Sequence, residues 1–132
     1  MNSEALNKRP TQTIMLVEDS RDIQLLLASL LKSAGYEVIC ASNGLEALDM
    51  LRSSDTLPAL IILDIMMPEM DGFEFRKEQE KDVRFASIPI VAMTAYGDVQ
   101  SKAMQIGAQG YLKKPFSDVD TILQTVAKFA SK

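Results

Sequence analysis

The chain has 132 residues, 47% hydrophobic and 24% charged, with a formal net charge of -4. That length and mix fit one globular domain with a real core, and the acidic balance implies no sequence-independent grip on nucleic-acid phosphates. The absence of histidine removes Ser-His-Asp and Cys-His catalysis, histidine metal ligation and histidine phosphate carriage together.

Residues 1–12 are polar, contain Pro10 and show no period, so they read as a loose arm ahead of a domain at 13–132. TIMLV, 13–17, is an all-apolar strand ending in Glu18-Asp19-Ser20. Ile23, Leu26, Leu27, Leu30, Leu31 and Ala34 then fall at helical spacing, with Ser20 as N-cap and Gly35 as the stop. A short strand follows at 36–41. It holds the lone Cys40, which excludes an internal disulfide, fits a reducing cytoplasm and reads as a small buried residue. Asn43 and Glu46 have capping-box spacing for a second helix with Ala47, Leu48 and Leu51 on its apolar face.

The stretch LIILDIMMPEMDG, 60–72, organises the rest. Its unbroken apolar run suits a strand buried on both faces of a parallel sheet. The run stops at Asp64, and Met66, Met67, Pro68, Met70, Asp71 and Gly72 make a loop in which Gly72 is free to take a positive φ. A charged helix at about 73–81 turns Phe73 and Phe75 inward. IPIVAM, 88–93, is a fourth strand that begins around Pro89 and ends at Thr94-Ala95. A fourth helix covers about 98–106, stopped by Gly107. A fifth strand at 110–113 ends at Lys114-Pro115. Ser117 and Asp120 cap a last helix with Val119, Ile122, Leu123, Val126 and Phe129 on one face. No apolar run approaches membrane-spanning length, and there is no signal-peptide core.

Five strands alternating with five helices predict right-handed parallel crossovers and an α/β sheet covered on both faces. All strands then end on one rim, where ligands of open α/β sheets bind. Strand one delivers Glu18 and Asp19 there, strand three Asp64, strand four Thr94 and strand five Lys114. Each alone has a plain structural reading as a turn carboxylate, a strand-end hydroxyl or a surface lysine. Together they make a site. Crowded carboxylates at about 4 Å repel by roughly 4 kcal/mol per contact at an effective dielectric near 20, so a cation or a proton must sit among them. Oxygen-only ligands with room for water favour Mg²⁺. An aspartate can act as nucleophile toward a phosphoryl group, with Lys114 supplying a second positive point and Thr94 a hydrogen bond.

MLVEDS, LDIMMPEMDGFEF, the MTA at 93–95 and GYLKKPF at 110–116 stand in an order and spacing that resemble the receiver domain of bacterial two-component response regulators, the stand-alone type included, from about residue 13 to the end. The resemblance implies the flavodoxin-like (βα)5 fold with strand order 2-1-3-4-5. It assigns Asp64 as phosphoacceptor, Asp19 as a direct Mg²⁺ ligand, Glu18 as a second acidic group acting through water, and the Met66 backbone carbonyl as a further ligand. It picks Lys114, directly before proline, over Lys113, and implies a cis Lys114-Pro115 bond. It casts Thr94 and Tyr111 as switch residues, and Met66 and Tyr96 as neighbours that set the acyl-phosphate lifetime. The Glu-Asp pair stands where Asp-Asp is also frequent.

The resemblance therefore implies a phosphorylation-activated, cytoplasmic signalling switch. It would accept a phosphoryl group from a sensor histidine kinase or histidine phosphotransfer protein and change the face made by the fourth helix, fifth strand and fifth helix, where a downstream protein binds. Its own catalysis would extend only to phosphoryl transfer onto Asp64 and hydrolysis of the product. A homodimer through that face is left open, and no DNA-binding element fits. Three alternatives stand beside it: a receiver cut from a hybrid kinase or larger regulator, a phosphorylation-independent adaptor of the same fold, and a Mg²⁺-dependent phosphatase using an aspartyl phosphate. Against the phosphatase, the DxD arrangement on the first strand is missing and Asp64 lies on the third. A P-loop enzyme is excluded by the lack of GxxxxGK.

Overall fold

The computed structural model describes residues 12–130 apart from 68, 96 and 117. The expectations for residues 1–11, Pro68, Tyr96 and the Ser117 cap lie outside the described residues. Five parallel strands, β1 (Thr13–Val17), β2 (Glu37–Ala41), β3 (Leu60–Asp64), β4 (Ile90–Thr94) and β5 (Gly110–Lys113), form one sheet in the order 2-1-3-4-5. Between and after them run α1 (Arg21–Ser33), α2 (Gly44–Ser53), α3 (Gly72–Glu80), α4 (Val99–Gln105) and α5 (Val119–Ala130). This is the doubly wound, flavodoxin-like fold that the alternation of elements predicts.

Strand alternation splits the core between the two faces of the sheet. Ile14, Leu16, Leu60, Ile62, Val91 and Met93 pack with Leu27 and Leu31 of α1 and Ile122 and Val126 of α5. Met15, Val17, Ile61, Leu63, Ile90 and Ala92 pack with α2, α3 and α4, where Phe75 and Phe85 are wholly buried. Every residue of β3 and β4 is buried, as the unbroken apolar run at 60–63 requires of a central strand. Each large aliphatic side chain so buried contributes about 1.5–3 kcal/mol. Among the described residues no helix is long and apolar enough to cross a membrane.

Several local expectations shift. Gly72 has no positive φ; in the loop before α3 that conformation falls to Glu69, at φ 68°. Glycine is needed at 72 for closeness instead, because a Cβ there would lie 2.7 Å from the Ile65 Cα. Phe75 is the wholly buried aromatic of α3, while Phe73 only packs partly against the core. Strand β4 starts at Ile90, two residues after the apolar run begins. Asn43 accepts from the Glu46 N–H at 2.8 Å, yet the Glu46 carboxylate reaches back to the Ser42 N–H at 2.6 Å, one residue too early for a capping box. The reciprocal box lies on α3, between Asp71 and Glu74. At the start of α5, Asp118 accepts from the Thr121 N–H, at 2.7 Å. Val119 and Leu26 are exposed, at 51% and 60%, and Ala34 is exposed as well. Gln12 is tied in: its carbonyl accepts from Glu37 N–H, and its side chain donates to the Ala130 carbonyl.

Candidate functional site

The sheet register levels the strand ends. Val17 pairs with Leu63, Leu63 with Ala92 and Ala92 with Tyr111. One step further along the chain, β1 has become Glu18 and β3 has become Asp64, side by side at the rim. The β1–α1 turn starts from a fixed point, since Glu18 N–H still donates to the Ala41 carbonyl at 3.0 Å. Ser20 then caps α1 by accepting from Ile23 N–H, and its own N–H donates to Glu18 Oε2 at 2.9 Å. On β3, Asp64 Oδ1 accepts from Met66 N–H at 3.2 Å, which orients the carboxylate where the loop begins.

Ligand oxygens of Glu18, Asp19 and Asp64 lie within 4.8 Å of one another. Glu18 and Asp64 are buried and Asp19 is exposed. The Lys114 ammonium joins the buried pair, donating to Glu18 Oε1 at 2.8 Å and Asp64 Oδ2 at 3.1 Å. The Lys114-Pro115 bond is cis, as the resemblance implies, and the Lys114 N–H donates to the Thr94 carbonyl at 3.1 Å. Thr94 is buried at the end of β4. Sequence-predicted Glu18, Asp19, Asp64 and Lys114 are thus in one cluster, and Met66 and Thr94 flank it. Tyr111 sits apart on the edge strand β5, 44% exposed.

Charges crowded here are expensive. Burial, opposed by the Lys114 and Ser20 hydrogen bonds and reinforced by Asp64, pushes the Glu18 carboxyl up to about 7. Burial likewise raises Asp64 despite the neighbouring ammonium. For Lys114, burial acts downward, but the hydrogen bonds to Glu18 and Asp64 act upward and prevail. Three carboxylates facing one ammonium leave excess negative charge in a low-dielectric position. Their donor set is all oxygen, and two of the three are buried, which fits a hard divalent cation such as Mg²⁺. The cluster forms the floor of an open cleft of about 630 Å³ whose walls include Ile23, Leu26, Met66 and Phe116. The sequence reading did not anticipate those apolar walls, because Ile23 and Leu26 counted as core-facing helix positions.

Comparison with known proteins agrees with this geometry. The family model of the response regulator receiver domain matches residues 14–127. The probable transcriptional regulator ycf27 of Porphyra purpurea is 38% identical over 125 residues, covering 92% of this chain and 49% of that protein. The chain thus spans about half the length of the first curated relatives it matches. The polar-differentiation response regulator DivK of Brucella ovis is 36% identical over 122 residues, covering 90% of this chain and 96% of DivK. A crystal structure of a putative response regulator from Chloroflexus aurantiacus superposes with a TM-score of 0.83 at 30% identity, covering 93% of this chain and all of that one. The chain belongs to the response regulator receiver domain family, the receiving module of two-component signalling systems.

Proposed function

We propose that this receiver, taken as residues 13–132 behind a short arm at 1–12, is a phosphorylation-activated switch with Asp64 as phosphoacceptor. The observation that carries the reading is the single ammonium of Lys114 bonded at once to Glu18 and Asp64, with Asp19 alongside at the C-terminal rim. Glu18, Asp19, Asp64 and the Met66 carbonyl would hold Mg²⁺. When bound, the ion neutralises these carboxylates and the oxygens of an incoming phosphoryl group.

The remaining chemistry falls to the chain. An ionised Asp64 oxygen attacks phosphorus, an O–P bond forms, and the donor's bond to phosphorus breaks with its electron pair leaving on the donor. In a histidine kinase or phosphotransfer protein that donor atom is an imidazole nitrogen; in acetyl phosphate it is an acyl oxygen. The carboxylate form is the nucleophile, so this step calls for no separate base. Lys114 turns from a carboxylate to a phosphoryl oxygen, and the Thr94 hydroxyl donates to another. Water later attacks the phosphorus, the Asp64 O–P bond breaks with its electron pair returning to the carboxylate, and inorganic phosphate leaves. A cytoplasmic setting follows from such donors. The test is direct: with acetyl phosphate the intact mass gains one phosphoryl group when Mg²⁺ is present and none with EDTA. A metal-independent adduct, or none with Mg²⁺ bound and a phosphate mimic also excluded, contradicts the proposal.

Output would pass through α4, β5 and α5 to a downstream protein. A phosphoryl group adds nearly two negative charges and three strong acceptors. Drawing Thr94 toward it vacates space for the Tyr111 ring, which is half exposed in this structure. Coupling of this kind amounts to about 1–3 kcal/mol. Adding beryllofluoride with Mg²⁺ is therefore expected to shift the Tyr111 ring resonances in NMR spectra. An unchanged Tyr111 environment removes it from the switch.

A further inference from the structure

The buried stripe of α1 is Gln24, Leu27 and Leu31, and its first member is a polar side chain only 3% exposed. A glutamine at a core position is retained at the cost of desolvation unless its amide is used. Here it is used on the acidic pair. The Gln24 amide donates to the Glu18 carbonyl at 2.6 Å and to Ser42 Oγ, after β2, at 3.4 Å. Its oxygen accepts from Arg21 Nη1 at 3.4 Å. The Glu18 carbonyl belongs to the peptide that carries Asp19. Glu18 itself is fixed at its N–H by Ala41, and at its carboxylate by Ser20 and Lys114. Asp19 is exposed, so the plane of its preceding peptide has the larger part in setting its direction.

We infer that Gln24 is a positioning residue for the metal site: by gripping the Glu18-Asp19 peptide from inside α1, it aims Asp19 at the point it shares with Glu18 and Asp64. This rests on the reading that these carboxylates hold Mg²⁺. Residues that orient metal ligands through a hydrogen bond typically alter affinity by about 10–100-fold when lost. Gln24 does not line the cleft above the carboxylates, and its polar atoms go to the Glu18 carbonyl, Ser42 and Arg21, so its effect runs through geometry alone.

The experiment is a Mg²⁺ titration of ¹⁵N-labelled protein followed by NMR, beside urea unfolding in EDTA, for the wild type, Gln24→Leu, Gln24→Met, Gln24→Arg and Leu27→Ala. Gln24→Leu and Gln24→Met keep the bulk and remove the donor, so whichever of them folds serves. The expected result is a Mg²⁺ Kd raised about 10-fold, with the Asp19 amide already displaced before metal is added. Gln24→Arg restores a donor and should recover most of the affinity. Leu27→Ala, on the same stripe, should lower the urea midpoint and leave the Kd within about twofold. A wild-type Kd in the folded Gln24→Leu or Gln24→Met protein overturns the role of Gln24. So does a Leu27→Ala protein that loses as much affinity, because the effect would then be loss of packing. Absence of any Mg²⁺ response in the wild type overturns the metal reading beneath it, which separates the two failures.

Discussion

Asp64→Asn is expected to take up no phosphoryl group from acetyl phosphate with Mg²⁺, a loss of at least about a thousand-fold against the wild type. The amide has the shape of the carboxylate and can still accept from Met66 N–H, but its oxygen is no longer an anionic nucleophile. The same change should stabilise the metal-free fold. Asp64 is 2% exposed and its charge adds to the burden on Glu18. With a neutral amide in place of that carboxylate, Lys114 keeps Glu18 as partner at 2.8 Å, and a gain on the order of 1 kcal/mol is expected in EDTA by urea unfolding. A variant both inert and at least as stable separates lost chemistry from lost folding. Phosphoryl uptake at the wild-type rate would remove Asp64 from the mechanism.

Lys114→Ala should act in the opposite direction on stability. It leaves the Glu18 and Asp64 carboxyls buried near each other without their ammonium. Removing one partner of a buried ion pair typically costs 3–5 kcal/mol, and with the Lys114 side chain partly open to water about 3 kcal/mol is expected in EDTA near neutral pH. The pH dependence has a definite sign. Glu18 already titrates at about 7 when folded against 4.5 for its ordinary value. Between those values the native state binds more protons than the unfolded chain, so this group's contribution to stability falls as pH rises. Loss of the ammonium extends that fall to higher pH, and acidification toward about 5 should recover most of the deficit. Added Mg²⁺ should recover it at neutral pH. Phosphoryl transfer should drop by about 10²–10³-fold, the usual effect of losing one charge-stabilising donor. Urea midpoints at two pH values, with and without Mg²⁺, check the stability arm. An unchanged midpoint in EDTA at neutral pH contradicts it.

What was legible in the sequence was whatever strand endings and turn chemistry determine locally. The run LIIL closing at Asp64 and TIMLV closing at Glu18-Asp19 place three acids on one rim once the sheet is parallel, and the structure brings their oxygens within 4.8 Å. Only the family pattern separates Lys114 from Lys113, since the two lysines stand together where β5 ends. Burial on a helix was harder to read. Gln24 occupies a core position because its amide has the Glu18 carbonyl to satisfy, a partner no periodicity reveals, while Leu26 is turned outward to the cleft wall. At Gly72 a close approach, and not a positive φ, requires glycine. The backbone there is ordinary, and the constraint comes from Ile65, seven residues back in the chain and close only after folding.

In the proposed switch one carboxylate, Asp64, carries the phosphoryl group. An acyl phosphate is reduced by borohydride to an alcohol, which marks an aspartate as homoserine after the phosphate has gone. Protein treated with acetyl phosphate and Mg²⁺, reduced, digested and sequenced by mass spectrometry should carry homoserine at position 64 and nowhere else. The mark should be missing when Mg²⁺ is withheld. A reduced side chain at position 18 or 19, or homoserine at 64 regardless of metal, would rule out Asp64 as the metal-dependent phosphoacceptor.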